Sequence, residues 1–186
     1  MKRNSIGSAN RIARSYLSPS RYIHSVGLVE LALELSDYWG GDRKALIKAG
    51  LVHDLGYSLG GRALDHADIG AGVLAGCFEP KVIRMVARHT LGGQEMSLEE
   101  KIIYLADAIE EGRHYPGVRR IRELAFRDLD RALLASIDST DDYLKVRGLA
   151  LHNNTKIFRK EIRRDYGRIS TRNPRIFRRK TSRRCS

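Results

Sequence analysis

Two metal-capable side chains stand together at His53-Asp54, inside the apolar segment Ala49-Gly50-Leu51-Val52-His53-Asp54-Leu55-Gly56. Burying an imidazole and a carboxylate is costly unless they are paired or bound to a metal. The doublet therefore needs partners, and the chain offers His24, His66, His89 and Asp107. Taken singly, each of these is more often a satisfied core or surface group. Taken together, on five separate helices, they favour a metal site. A set of imidazole nitrogens and carboxylate oxygens without thiolate suits a divalent ion such as Fe, Mn, Mg or Zn, with positions left for water and substrate. Such an ion polarises a phosphoryl oxygen and lowers the pKa of bound water from about 15.7 to about 7. Hydrolysis of a phosphate ester or anhydride is the reaction class that follows.

Helices must carry these residues. Ser18-Pro19 supplies an N-cap and a first-turn proline for a helix that runs to Gly40-Gly41 and bears His24. Asp42 caps a second, ending near Asp54, and a third is expected from Asp65 to Cys77 with His66 at its start. Pro80 opens a fourth, through Val82 and Val86 to His89, and Gly92-Gly93 halts it. Ser97-Leu98-Glu99-Glu100 is a capping-box pattern that opens the fifth, which carries Asp107. Segments 119–126, 129–147 and 154–166 complete the set. No β-branched run of period two occurs, so the expected fold is an all-α bundle of about eight helices. One domain is expected over residues 1–166. Beyond Gly167 the apolar periodicity lapses, and residues 167–186 are expected to be a disordered basic tail or to fold on a partner.

Composition narrows the function classes. The chain has 186 residues and a net charge of +12. Residues 159–186 hold twelve Lys and Arg against Glu161 and Asp165, so the body is nearly neutral and the charge belongs to the tail. Weak, salt-sensitive nucleic-acid contact is a candidate role for residues 159–186. No apolar run reaches the roughly 18–20 residues needed to span a bilayer, and Met1-Lys2-Arg3 is followed by polar residues. No membrane role and a cytoplasmic location are expected. Cys77 and Cys185 have no zinc-site or disulfide spacing, so a metal here is held by nitrogen and oxygen. Homodimerisation is left open.

In their order along the chain, His24, His53-Asp54 and Asp107 resemble the H…HD…D signature of the HD-domain metal-dependent phosphohydrolases. Asp65-His66-Ala67, His89-Thr90-Leu91-Gly92, Ile102 to Asp107 and Glu110-Glu111-Gly112-Arg113 look like the YqeK-type branch, the bacterial symmetrical dinucleoside tetraphosphate hydrolases. The similarity extends from about Arg21 to Phe158. It implies an HD-domain helical bundle in which His24, His53, Asp54 and Asp107 bind an iron ion. It also implies that diadenosine tetraphosphate is cut into two ADP.

Under that resemblance Asp54, His89 and Asp107 are the expected catalytic residues. Arg21, His24, Asp54, His66, His89, Asp107 and Arg113 are the expected substrate contacts. Arg21 lies one turn before His24, where its planar fork suits phosphate. Arg113 is a second candidate clamp, oriented by Glu110. His66 and His89 are candidates for phosphate contact, proton transfer or a second metal position, with the first two favoured. One departure stands out: Tyr57 occupies a position where the family usually has lysine. Tyr57 is a candidate to stack on a base or bond a phosphate oxygen, with Arg62 supplying the missing charge. Tyr22, Tyr104 and Tyr115 are further aromatic candidates, Tyr104 more as core. His114 and His152 sit in polar, loop-like surroundings. The rival readings are an HD-type phosphohydrolase acting on another nucleotide, and a nucleic-acid-binding protein working through the basic tail.

Overall fold

The structure, a computed structural model, describes residues 4–172, with side chains described to Tyr166. Among the described residues it is all-α. The helices are α1 (Ile6–Tyr16), α2 (Pro19–Trp39), α3 (Arg43–Val52), a 3-10 helix (Leu55–Leu59), α4 (His66–Leu74), α5 (Pro80–Arg88), α6 (Leu98–Ile109), α7 (Val118–Ala125), α8 (Leu129–Val146) and α9 (Asn153–Arg172). No described helix is long and apolar enough to cross a membrane.

Helix starts follow the chemistry of their caps. The Ser18 hydroxyl accepts from the Arg21 N–H at 3.4 Å and Pro19 begins α2. Asp42 Oδ1 accepts from the Ala45 N–H at 3.1 Å to open α3. At α6 the capping box closes in both directions, Glu100 N–H to Ser97 Oγ at 3.2 Å and Ser97 N–H to Glu100 Oε2 at 3.0 Å. Glu100 is buried, and Arg84 and Arg88 also donate to it.

Two compact units divide the chain. The first runs through Gly92 and from Met96 to His114; the second contains Gly93–Glu95 and the chain from Tyr115. At the centre of the first lies α3, packed against α1, α2, α5 and α6. Beyond Arg43 and Lys44 in its first turn it is mostly apolar, and Ala45, Leu46, Ala49, Gly50, Leu51 and Val52 are all buried. A Cβ on Gly50 would stand 2.7 Å from Val29 and 2.8 Å from Leu28, which shows how closely α2 approaches. Lys48, also buried, is satisfied by Asn4 and Glu79. Fully buried Leu28, Leu35, Leu46, Ile102, Ile103 and Leu105 supply the core, each contributing about 1.5–3 kcal/mol.

In the second unit α7 packs on α8 and α8 on α9. Part of the basic run is paired here: Arg159 reaches Asp141 at 2.8 Å and Asp138 at 3.3 Å, and Arg163 reaches Asp138 at 3.2 Å.

Three expectations need correction. Helix α1 precedes the helix expected to be first; Ser5 caps it and its buried residues are the small Ser8, Ala9 and Ala13. Helix α4 stops at Leu74, before Gly76 at φ +76°, which leaves Cys77 outside it. Helix α9 continues beyond 166 to Arg172, since one glycine inside a helix costs only about 1 kcal/mol. The remainder of the expected tail, 173–186, lies outside the described residues.

Candidate metal and active site

Helix termini position most of the site. A finished helix leaves its last carbonyls without intrahelical partners. His53 follows α3 directly, and its Nδ1–H donates to the Gly50 carbonyl at 2.8 Å. His89 follows α5 in the same way and donates from Nδ1 to the Val86 carbonyl at 2.7 Å. His66, first residue of α4, donates from Nδ1 to the Arg62 carbonyl at 2.9 Å. His24 sits inside α2, where the carbonyls are already used, and turns to a carboxylate: its Nδ1 lies 3.1 Å from Glu110 Oε1.

Every Nδ1 is thus committed as a donor, and each neutral ring presents a lone pair at Nε2. Those four atoms converge: His53 and His24 face each other at 3.2 Å, His66 and His89 at 3.0 Å. Opposed lone pairs at such distances need a cation between them or nearby, either a proton or a metal ion. Two carboxylates complete the donor set. Asp54 Oδ1 lies 3.4, 3.5 and 3.7 Å from Nε2 of His53, His66 and His89. Asp107 Oδ1 lies 3.0 Å from His24 Nε2 and 3.9 Å from His53 Nε2. Two overlapping groups result, His24-His53-Asp107 and His53-Asp54-His89, each with donor atoms within 4.8 Å of one another. Nitrogen and oxygen donors so placed could hold a divalent ion, with the outer imidazole nitrogens fixed as metal ligands require.

Cations lie at the rim. Arg21 Nη1 pairs with Asp54 Oδ2 at 2.9 Å, and Arg113 Nη2 pairs with Asp107 Oδ1 at 2.7 Å. Both arginines are partly exposed, whereas His53, His66, His89 and Asp54 are buried. A groove of about 660 Å³ opens beside His24 and Arg113, walled by Tyr22, Ile23 and Val26 of α2.

The electrostatics follow from burial and mutual charge. Burial pushes His53 down to about 4, against the pull of Asp54. His66 is likewise lowered, by burial and by the charge of His89. For His89 burial works in the same direction but is outweighed by Asp54, Asp107 and the Val86 carbonyl acting together, and its pKa is raised. His24 is raised: burial lowers it, but Asp107 and Glu110 together more than offset that. Both carboxylates are held well below the usual range although burial raises them: Asp54 by His53 and His89 together, Asp107 by His24, His53, His89 and Arg113 together.

All eight residues expected in the site come together in the first unit: Arg21, His24, His53, Asp54, His66, His89, Asp107 and Arg113. His114 is exposed and belongs to neither donor group. His152 lies in the second unit, where its Nδ1 accepts from the Asn154 N–H at 3.2 Å. Arg62 enters through its carbonyl. The Tyr22 hydroxyl is tied to α1, donating to Asn10 and accepting from Arg14. Base stacking on Tyr57 is excluded by what already covers the ring: the Arg21 guanidinium 3.7 Å from its centre, and His66 stacked at 3.8 Å. Sequence reasoning missed two contacts. Thr90 Oγ1 lies 3.1 and 3.0 Å from Nε2 of His66 and His89, and Glu110 orients His24 as well as facing Arg113. A threonine directly after a site histidine was the signal available for the first; the second joins residues 86 apart in sequence and left none.

The HD domain family matches residues 21–112, a stretch that holds every member of this cluster except Arg113. The chain belongs to the HD-domain family of metal-dependent hydrolases. Among its relatives is the symmetrical bis(5'-nucleosyl)-tetraphosphatase of Bacillus subtilis, 34% identical over 154 residues that cover 70% of this chain and 83% of that one. Another, from Halalkalibacterium halodurans, is 30% identical over 172 residues, 80% of this chain and 92% of its own. A crystal structure from Clostridium acetobutylicum, of an HD superfamily hydrolase described as involved in NAD metabolism, matches with a TM-score of 0.75 at 32% identity, covering 85% and 96% of the two chains.

Proposed function

We propose that this protein cleaves dinucleoside tetraphosphates symmetrically, so that diadenosine tetraphosphate yields two ADP. The observation that carries the reading is the convergence of four Nε2 atoms and two carboxylates between two arginines. The relatives that share the chain's length give the substrate class. Water adds across the central anhydride: its oxygen bonds to one inner phosphorus, and its protons are released or passed to the departing diphosphate.

In this reading His24, His53, Asp54 and Asp107 hold the divalent ion, iron by likeness to the family, and Mn, Mg or Zn are the alternatives that metal analysis separates. The ion, when bound, supplies a Lewis acid for a phosphoryl oxygen and acidifies water. Arg21 and Arg113 hold the polyphosphate by their planar forks. His89, protonated at Nε2 as well as Nδ1 and facing Asp54 and Thr90, donates its Nε2 proton to the departing oxygen, and His66 contacts phosphate beside it. The groove walled by Tyr22, Ile23 and Val26 receives one nucleoside. The hydrolytic chemistry lies in the first unit, and a nucleotide substrate puts the enzyme in the cytoplasm.

Purified full-length protein given diadenosine tetraphosphate should release ADP as its only nucleotide product. Formation of AMP with ATP, or turnover of NAD or a nucleoside monophosphate without action on the tetraphosphate, would reject the assignment.

Glu110 tests the metal part separately. Partners that orient a ligating histidine are worth about 10–100-fold in metal affinity. Glu110→Gln should therefore weaken metal binding within that range in a titration against a competing chelator; unaltered affinity removes Glu110 from the site.

A further inference from the structure

Three planar groups are layered at the rim of the cluster. The Arg21 guanidinium carbon lies 3.7 Å from the centre of the Tyr57 ring, and the His66 imidazole is stacked on the same ring at 3.8 Å and 17°. Two planar groups this close to one ring centre cannot share a face, so Tyr57 is sandwiched. The ring rides on the turn that follows the His53-Asp54 doublet, its N–H donating to the Asp54 carbonyl at 3.1 Å. Each outer layer is held at a second point: Arg21 by Asp54 at 2.9 Å, His66 by the Arg62 carbonyl at 2.9 Å.

The geometry separates the functions of a guanidinium's face and edge. Stacking engages the face, whereas hydrogen bonds to phosphate run in the plane. An arginine held by its face against Tyr57 keeps in-plane donors for an anion, and it loses less rotamer freedom when the anion arrives. We infer that Tyr57 is a positioning residue that fixes the plane of Arg21 for a polyphosphate chain, with the His66 stack holding the tyrosine ring in place. The inference rests on the proposed function only in taking polyphosphate as the ligand.

A double-mutant cycle with inorganic triphosphate tests it, using calorimetry on the full chain as purified, so that no cleavage is required. A cation–π contact of partly buried kind predicts that Tyr57→Leu weakens binding by about tenfold. In the Arg21→Ala background the same substitution should add no further weakening. Tyr57→Phe, which keeps the ring, should restore binding to within about twofold of the parent. With diadenosine tetraphosphate, Tyr57→Leu should change KM and kcat together and should do neither once Arg21 is gone. Equal losses in both backgrounds, a Tyr57→Phe as weak as Tyr57→Leu, or no triphosphate binding by the parent would each overturn the inference. If Tyr57→Leu does not fold, Tyr57→Met takes its place in the cycle. Failure of the hydrolase reading would show differently, as triphosphate binding with an intact cycle and no release of ADP.

Discussion

Asp54→Ala is expected to reduce ADP release from diadenosine tetraphosphate by about a thousandfold or more, the upper range for loss of one preorganised electrostatic group, and to leave the purified protein depleted of metal. The carboxylate joins more of the site than any other group. Its Oδ1 faces Nε2 of three histidines, and its Oδ2 takes the Arg21 guanidinium. Removing it takes one of the two carboxylates from the donor set and leaves the Arg21 charge without its carboxylate, so the hold on a divalent cation is much weaker. Asp54→Asn retains the shape and a carbonyl oxygen for Arg21 but not the charge. It should lose metal almost as fully while keeping the fold, which separates charge from packing. Metal analysis and product chromatography on both variants check this; wild-type metal content with wild-type turnover in Asp54→Ala would sink the proposed site.

Gly56→Ala should destabilise the protein by about 3 kcal/mol or more. Overpacking against side chains typically costs about 1–3 kcal/mol, and here there is no side chain to swing aside. A Cβ on Gly56 would lie 1.8 Å from the His66 carbonyl oxygen and 2.7 Å from its carbon. Backbone meets backbone, so α4 has to retreat and carry His66 away from Tyr57 and His89. Denaturant unfolding measures the loss. An unfolding free energy within about 1 kcal/mol of the parent's, together with wild-type activity, would contradict the close contact of the 3-10 helix with α4.

Much of this was readable from residue types alone because local rules decided it. Ser18-Pro19, Asp42 and Ser97 with Glu100 each fix a helix start within a few residues, and the structure shows the corresponding caps. The donor histidines and aspartates stood out because polar groups in apolar helices need a reason. What remained hidden depended on pairing across the fold. The Glu110 bond to His24, and the covering of Tyr57 by Arg21, join segments that no periodicity connects. Helix α1 is different: Ile6, Ala9, Ile12, Ala13 and Tyr16 recur at helical spacing, so its pattern was there to read, although its buried residues are the small Ser8, Ala9 and Ala13.

The different anchors of the four imidazoles have a consequence for how the site can vary. His53, His66 and His89 lean on main-chain carbonyls, which no substitution at Gly50, Arg62 or Val86 can delete unless it disturbs the chain itself. Their orientation is therefore buffered against mutation and inherited with the helix ends. His24 alone depends on a replaceable side chain, Glu110. Genetic variation that tunes this centre has one ready handle there, while the other three rings stay as the backbone sets them.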